Sequence, residues 1–161
     1  MFIKICFFFL LWVIKRELVY MGNKEKGANA ERELYQLFID NCFRAVRVAG
    51  SGVMENTSCD LIAGKPGKKY CVECKASKDT LKYITKKQIE EFLVFSEVFG
   101  LIPVVAVRFN RFGWFFIHPK DLKDSGKNWC VSLELVKEKG KRFGEFFQQE
   151  KKEDSYDDLL E

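Results

Sequence analysis

The stretch Asp60-Leu61-Ile62-Ala63-Gly64-Lys65-Pro66-Gly67-Lys68-Lys69-Tyr70-Cys71-Val72-Glu73-Cys74-Lys75 decides the fold. Its apolar runs, Cys59 to Ala63 and Tyr70 to Ala76, predict two strands joined by a turn at Gly64 to Gly67. Side chains alternate along a strand, so Glu73 and Lys75 share a face while Cys71 and Cys74 point to opposite faces. The cysteine pair thus has metal-clip spacing without metal-clip geometry, and no second pair or nearby histidine completes a zinc site. All six cysteines are expected to be thiols of a cytoplasmic protein.

Twelve residues separate Asp60 from Glu73, and the turn can bring the two carboxylates together. Both are embedded in apolar strands, where a charge is costly unless paired or liganded. Two readings follow. The acids are hard oxygen ligands for Mg²⁺, with Lys75 on the same face to orient or deprotonate a water and stabilise a pentavalent phosphate. Alternatively, Lys75 forms a plain structural ion pair with Glu73 or Asp60.

Upstream, Glu25 to Asn41 has helical spacing, with Ala30, Leu34, Leu37, Phe38 and Cys42 on one apolar stripe. Glu31 lies at the edge of that stripe and is a candidate third acid. Phe43 to Ala49 alternates as a half-buried strand, ended by Gly50-Ser51-Gly52. Downstream, Thr85-Lys86-Lys87-Gln88 is a capping box that starts a helix, and Gly100 stops it. Phe95, Val98 and Phe99 give this helix a second apolar face, which calls for a second burial partner.

Ile102 to Phe109 reads as a buried central strand with Gly113 to Ile117 as its neighbour. Asp121-Leu122-Lys123 reads as one helical turn, Trp129 to Leu133 as a last strand, and a short helix after Gly140 ends near Phe147. The order is α-β-β-β-α-β-β, an α/β class with small trailing elements.

The whole chain has 161 residues, 47% hydrophobic and 31% charged, which suits one globular domain and excludes both wholesale disorder and a polytopic membrane protein. Its net charge of +4 is unevenly placed: residues 1–20 carry +2 and residues 150–161 carry −4, leaving +6 for residues 21–149. A basic middle suits a polyanion, although a merely well-solvated surface has the same signature. The expected layout is a leader at 1–20, a single domain at 21–149 and a mobile acidic tail at 150–161. The leader's ten-residue apolar run, Ile5 to Ile14, falls short of the ~20 residues of a spanning helix. A start-site artefact upstream of Met21, a membrane-associating anchor and a secretion signal all remain open, and no stable membrane insertion is expected.

Lys26 to Leu34, Arg47 to Gly52, Asp60 to Ala63 and Glu73-Cys74-Lys75 together resemble the archaeal Holliday junction resolvase Hjc family of the PD-(D/E)XK nuclease superfamily. The likeness continues through Tyr83-Ile84, Phe95-Ser96, Phe99-Gly100, Pro103 to Phe109 and Gly113-Trp114, over residues 24–117 in order. It implies a restriction-endonuclease-like mixed β-sheet flanked by helices. It also implies a homodimeric, Mg²⁺-dependent endonuclease, with Mn²⁺ able to substitute, that recognises four-way DNA junctions by shape and makes paired nicks. Carried over, Glu31, Asp60 and Glu73 are the acidic, metal-binding site and Lys75 the catalytic lysine. Arg32, Arg47, Ser51 and Arg108 contact or position DNA, and Phe95 and Phe99 lie in the dimer interface. Gly52 departs from the lysine expected after the serine, and Glu55 makes that loop less basic.

Two other functions compete. One is a general PD-(D/E)XK repair or restriction nuclease, and the other is a dimeric DNA-binding module whose embedded acids are structural. Gln88 is a candidate to orient the lysine or a phosphate, and Lys86 and Lys87 to touch DNA. His118, the only histidine, reads as a surface or capping residue that the chemistry does not require.

Overall fold

The computed structural model describes residues 25–48 and 59–147. The expected leader, the expected acidic tail and residues 49–58, which include Ser51, Gly52 and Glu55, lie outside the described residues. Helix α1 covers residues 25–40 and buries Ala30, Leu34 and Phe38 as its spacing predicts. Cys42 does not continue the stripe. The helix has ended, Cys42 adopts a left-handed φ of 64°, and its side chain is exposed.

Strands β1 (Arg44–Arg47), β2 (Leu61–Lys65) and β3 (Lys68–Ser77) form an antiparallel meander. After β4 (Leu81–Thr85) and helix α2 (Lys86–Val98), strand β5 (Ile102–Phe109) returns parallel to β3, and β6 (Gly113–Ile117) folds back on β5. The main sheet is therefore mixed, in the order β1-β2-β3-β5-β6, with β3 and β5 at its centre.

Helix α2 starts and stops where the sequence indicates. The Thr85 hydroxyl accepts the Gln88 N–H at 3.2 Å. At the other end Leu101 N–H donates to Ser96 O and Gly100 N–H to Glu97 O, a Schellman closure made possible by Gly100 at φ 62°.

Strand alternation divides the interior into two cores, one on each face of the sheet. Val72, Cys74, Val104, Ala106 and Phe116 face α1 and the C-terminal α4 (Phe143–Phe147). Cys71, Val105, Val107 and Phe115 face α2 and α3 (Leu133–Glu138). Cys71 and Cys74 thus lie in different cores, and the five cysteines described are all free thiols. The first core also explains much of the phenylalanine content. Phe38 meets Phe43, Phe116, Phe143 and Phe147 edge-on at centroid distances of 5.4, 6.3, 5.1 and 5.1 Å, an arrangement that aromatic quadrupoles favour.

One layer was not apparent from the pattern. β4 pairs with β8 (Asn128–Ser132), which pairs with β7 (Lys123–Asp124), forming a separate three-stranded sheet. The helical turn expected at Asp121 is a 3-10 turn at Pro119–Asp121, and the expected last strand gives way to α3 at Leu133.

Candidate active site

The site is made where β2 and β3 part. The two strands pair from Lys65↔Lys68 to Leu61↔Val72. Asp60 stands just beyond, with its N–H on Val72 O at 3.1 Å and its C=O taking the Val48 N–H at 2.9 Å. Its carboxylate Oδ2 accepts the Cys74 N–H at 2.7 Å. The side chain therefore satisfies a β3 amide that strand pairing has left. β3 itself runs on, held by β5 as far as Ser77↔Phe109.

The divergence opens a cleft of about 540 Å³. Asp60, Cys74 and Lys75 line it together with Lys26 and Glu31 of α1, Lys78 and Asp79 of the β3–β4 connection, and Lys82 of β4. That connection is pinned: the Asp79 N–H donates to Ser77 Oγ at 3.2 Å, and Ser77 Oγ donates to Leu81 O at 3.1 Å.

Glu73 is only 3% exposed, on the α2 face of the sheet. Lys75 Nζ donates to its Oε1, and Gln88 Nε2 donates to the same oxygen at 3.0 Å. The capping-box residue Gln88 thus gives its amide side chain to the acid. Burial pushes the Glu73 carboxyl up to about 7; Lys75 opposes the shift, while Asp60 and Glu31 reinforce it. Burial alone would lower Lys75, but Glu73 and Asp60 outweigh it and hold the ammonium above its ordinary value. Lys75 is therefore a protonated donor at neutral pH. The Cys59 and Cys71 thiols, pushed up to about 12 by burial, are protonated core groups.

Glu31 comes to the rim of the cleft, where its Oε2 takes Arg47 at 2.7 Å. Arg108 Nε lies 3.0 Å from Glu33, whose Oε1 also accepts the Trp114 indole N–H at 2.9 Å. Arg32 bonds within its own helix, to Ala28 O at 3.1 Å and Asn29 Oδ1 at 2.7 Å. Lys86 pairs with Asp124 and Lys87 with Glu91, and neither lines the cleft. His118 packs against the Phe146 ring and does not line it either. Sequence reasoning missed Lys26, Lys78 and Lys82, because lone surface lysines carry no periodic signal.

Among the described residues, no group of three His, Cys, Asp or Glu side chains is placed to hold an ion by itself. The donor chemistry nevertheless fits a hard divalent cation that keeps several waters: the acids supply only oxygen, and Lys75 only partly offsets the burial that lifts the Glu73 carboxyl. At the last turn of α2, Phe95 stacks on Phe99 at 4.5 Å, and Val94, Val98 and Phe99 are 61%, 74% and 59% exposed.

Comparison with known proteins agrees with this architecture. The family described as archaeal Holliday junction resolvase (Hjc) matches residues 22–155. Crossover junction endodeoxyribonuclease Hjc of Methanocaldococcus jannaschii is 42% identical over 106 residues, 66% of this chain and 75% of that protein. The Hjc of Archaeoglobus fulgidus is 31% identical over 131 residues, 77% of this chain and 96% of its relative. A solved structure of Archaeoglobus fulgidus Hjc, a Holliday junction resolvase, superposes with a TM-score of 0.67 at 29% identity, covering 71% of this chain and 93% of that one. From sequence and fold alike, the chain belongs to the archaeal Holliday junction resolvase family.

Proposed function

We propose that this protein is a Mg²⁺-dependent endonuclease that resolves four-way DNA junctions, acting as a homodimer that makes paired nicks. The observation that carries the reading is the convergence of Asp60 and Glu73 on diverging strands, with Lys75 bonded to Glu73 beside an open cleft. Asp60 and Glu73 would hold the cation, with Glu31 at the rim and waters completing its shell. When bound, the cation polarises the scissile phosphate and makes an attacking water more acidic.

The chain's own groups do the rest. Lys75 presents a proton-bearing Nζ to the charge that builds on the phosphate oxygens. Gln88 and Lys75 together fix the Glu73 carboxylate. The backbone bond from Cys74 fixes Asp60, so neither acid has to reorient when substrate arrives. Arg32 on α1, Arg47 on β1 and Arg108 on β5 would contact the DNA backbone, as would Ser51, which lies outside the described residues.

The exposed Val94, Val98 and Phe99, with Phe95 stacked on Phe99, form the dimer surface. A dimer presents two cutting centres to a two-fold substrate. The protein acts in the cytoplasm, where its DNA substrate and free thiols belong; no helix among the described residues is long and apolar enough to cross a membrane.

The test is cleavage of a four-way junction and of linear duplex of the same sequence, each with and without Mg²⁺. Metal-dependent nicking confined to the junction supports the proposal. Equal cutting of both substrates favours a general PD-(D/E)XK nuclease, and binding without product favours a DNA-binding module.

A further inference from the structure

The basic side chains around the cleft fall into two groups. Arg47 and Arg108 are held by Glu31 and Glu33 at 2.7 and 3.0 Å, and Arg32 bonds within α1. To grip a phosphate, each must share its guanidinium with a partner in its own chain or leave that partner. Lys26, Lys78 and Lys82 line the same cleft, and among the described residues they make no ion pair or side-chain hydrogen bond.

Position supports the same division. Lys26 lies at the start of the described part of α1, Lys78 in the β3–β4 connection pinned by Ser77, and Lys82 just after it in β4. That connection follows directly from the strand carrying Glu73 and Lys75, so Lys78 and Lys82 are tied covalently, within a few residues, to the acidic centre. The lining also includes Glu31, Asp60 and Asp79. An anion entering the cleft therefore needs cations that no protein group already occupies. Lysine suits this task, since a flexible stem carries a compact charge to a phosphate without demanding one geometry.

We propose that Lys26, Lys78 and Lys82 form a phosphate-gripping rim that holds the backbone of the DNA strand entering the cleft, ahead of the arginines. This rests on the junction-cutting reading and names the residues that hold the substrate in that same site. The rim contacts backbone only. It sets affinity and salt dependence uniformly across sequences and carries no sequence preference.

The experiment measures four-way junction binding by fluorescence anisotropy at several salt concentrations, without divalent cation, for the full chain. The variants are Lys26→Gln, Lys78→Gln, Lys82→Gln, the triple variant, Lys82→Arg, and Lys139→Gln, at the end of α3 and outside the cleft lining, as control. Each rim glutamine is expected to reduce the log–log salt slope by about 1, and the triple by about 3. Lys82→Arg restores the slope, and Lys139→Gln leaves it unchanged. Unaltered slopes in a triple variant that melts like wild type overturn the rim while leaving the nuclease reading intact. Failure of the wild-type protein to bind junctions at all overturns both.

Discussion

The Asp60 carboxylate caps the Cys74 amide: Oδ2 accepts that N–H at 2.7 Å where β2 has turned away from β3. A proposed metal ligand thus also replaces a lost strand contact, so a change at Asp60 has a catalytic part and a structural part that separate by choice of substitution.

Asp60→Asn keeps an oxygen for the Cys74 N–H and loses the charge. Junction cleavage should fall roughly 100- to 1,000-fold, with junction affinity and melting temperature close to wild type. Asp60→Ala also leaves the amide without its acceptor and should cost about 1–3 kcal/mol of stability. Cleavage assays beside thermal melts of both variants check this.

Glu73 gives the metal-free protein a pH-dependent stability. Its carboxyl titrates near 7 when folded against an ordinary value of 4.5. Between those values the folded state keeps a proton that the unfolded state has released, so stability falls as pH rises from 4.5 towards 7 and then levels. Melting temperature measured without divalent cation should follow that curve. Added Mg²⁺ should raise it more at pH 8 than at pH 5.5, since ion and proton compete for the same carboxylate.

Lys75→Met removes the positive partner of a buried acid. Cleavage should be lost, and the metal-free protein should be destabilised by about 3–5 kcal/mol at pH 8, as when one member of a buried pair is deleted. At pH 5 the loss should be smaller, because Glu73 can take up a proton instead. Chemical unfolding at the two pH values tests the difference.

Phe99→Asp places a charge in the exposed apolar face of α2. Sedimentation should show a monomer, with the melting temperature of dilute protein little changed, since Phe99 is 59% exposed. Nicking should persist singly, while paired cuts within the lifetime of one complex should be lost.

Much of this was readable from periodicity. Two-residue alternation placed Cys71 and Cys74 in opposite directions, and they occupy different cores. The Thr85 cap and Gly100 stop bounded α2 correctly because both act locally. β4 escaped notice for the opposite reason. Of Leu81 to Thr85 only Ile84 is buried, and the segment is a strand because it pairs with β8, at Leu81↔Ser132, far along the chain. α3 is six residues long, too short for a period to emerge. At the site, the acids and Lys75 stood out as charges in apolar strands. The engagement of Arg47 and Arg108 by Glu31 and Glu33 did not, since no spacing rule links residues on different elements.

The central strand β3 faces both cores, with Val72 and Cys74 packed in one and Cys71 in the other. Glu73 and Lys75 are carried on that shared strand, so fraying of an outer layer does not release them gradually. Glu73 and Lys75 therefore belong to the last unit to open. Amide exchange along β3 and β5 should be the slowest in the molecule, and nuclease activity on heating should vanish in one step together with the whole fold.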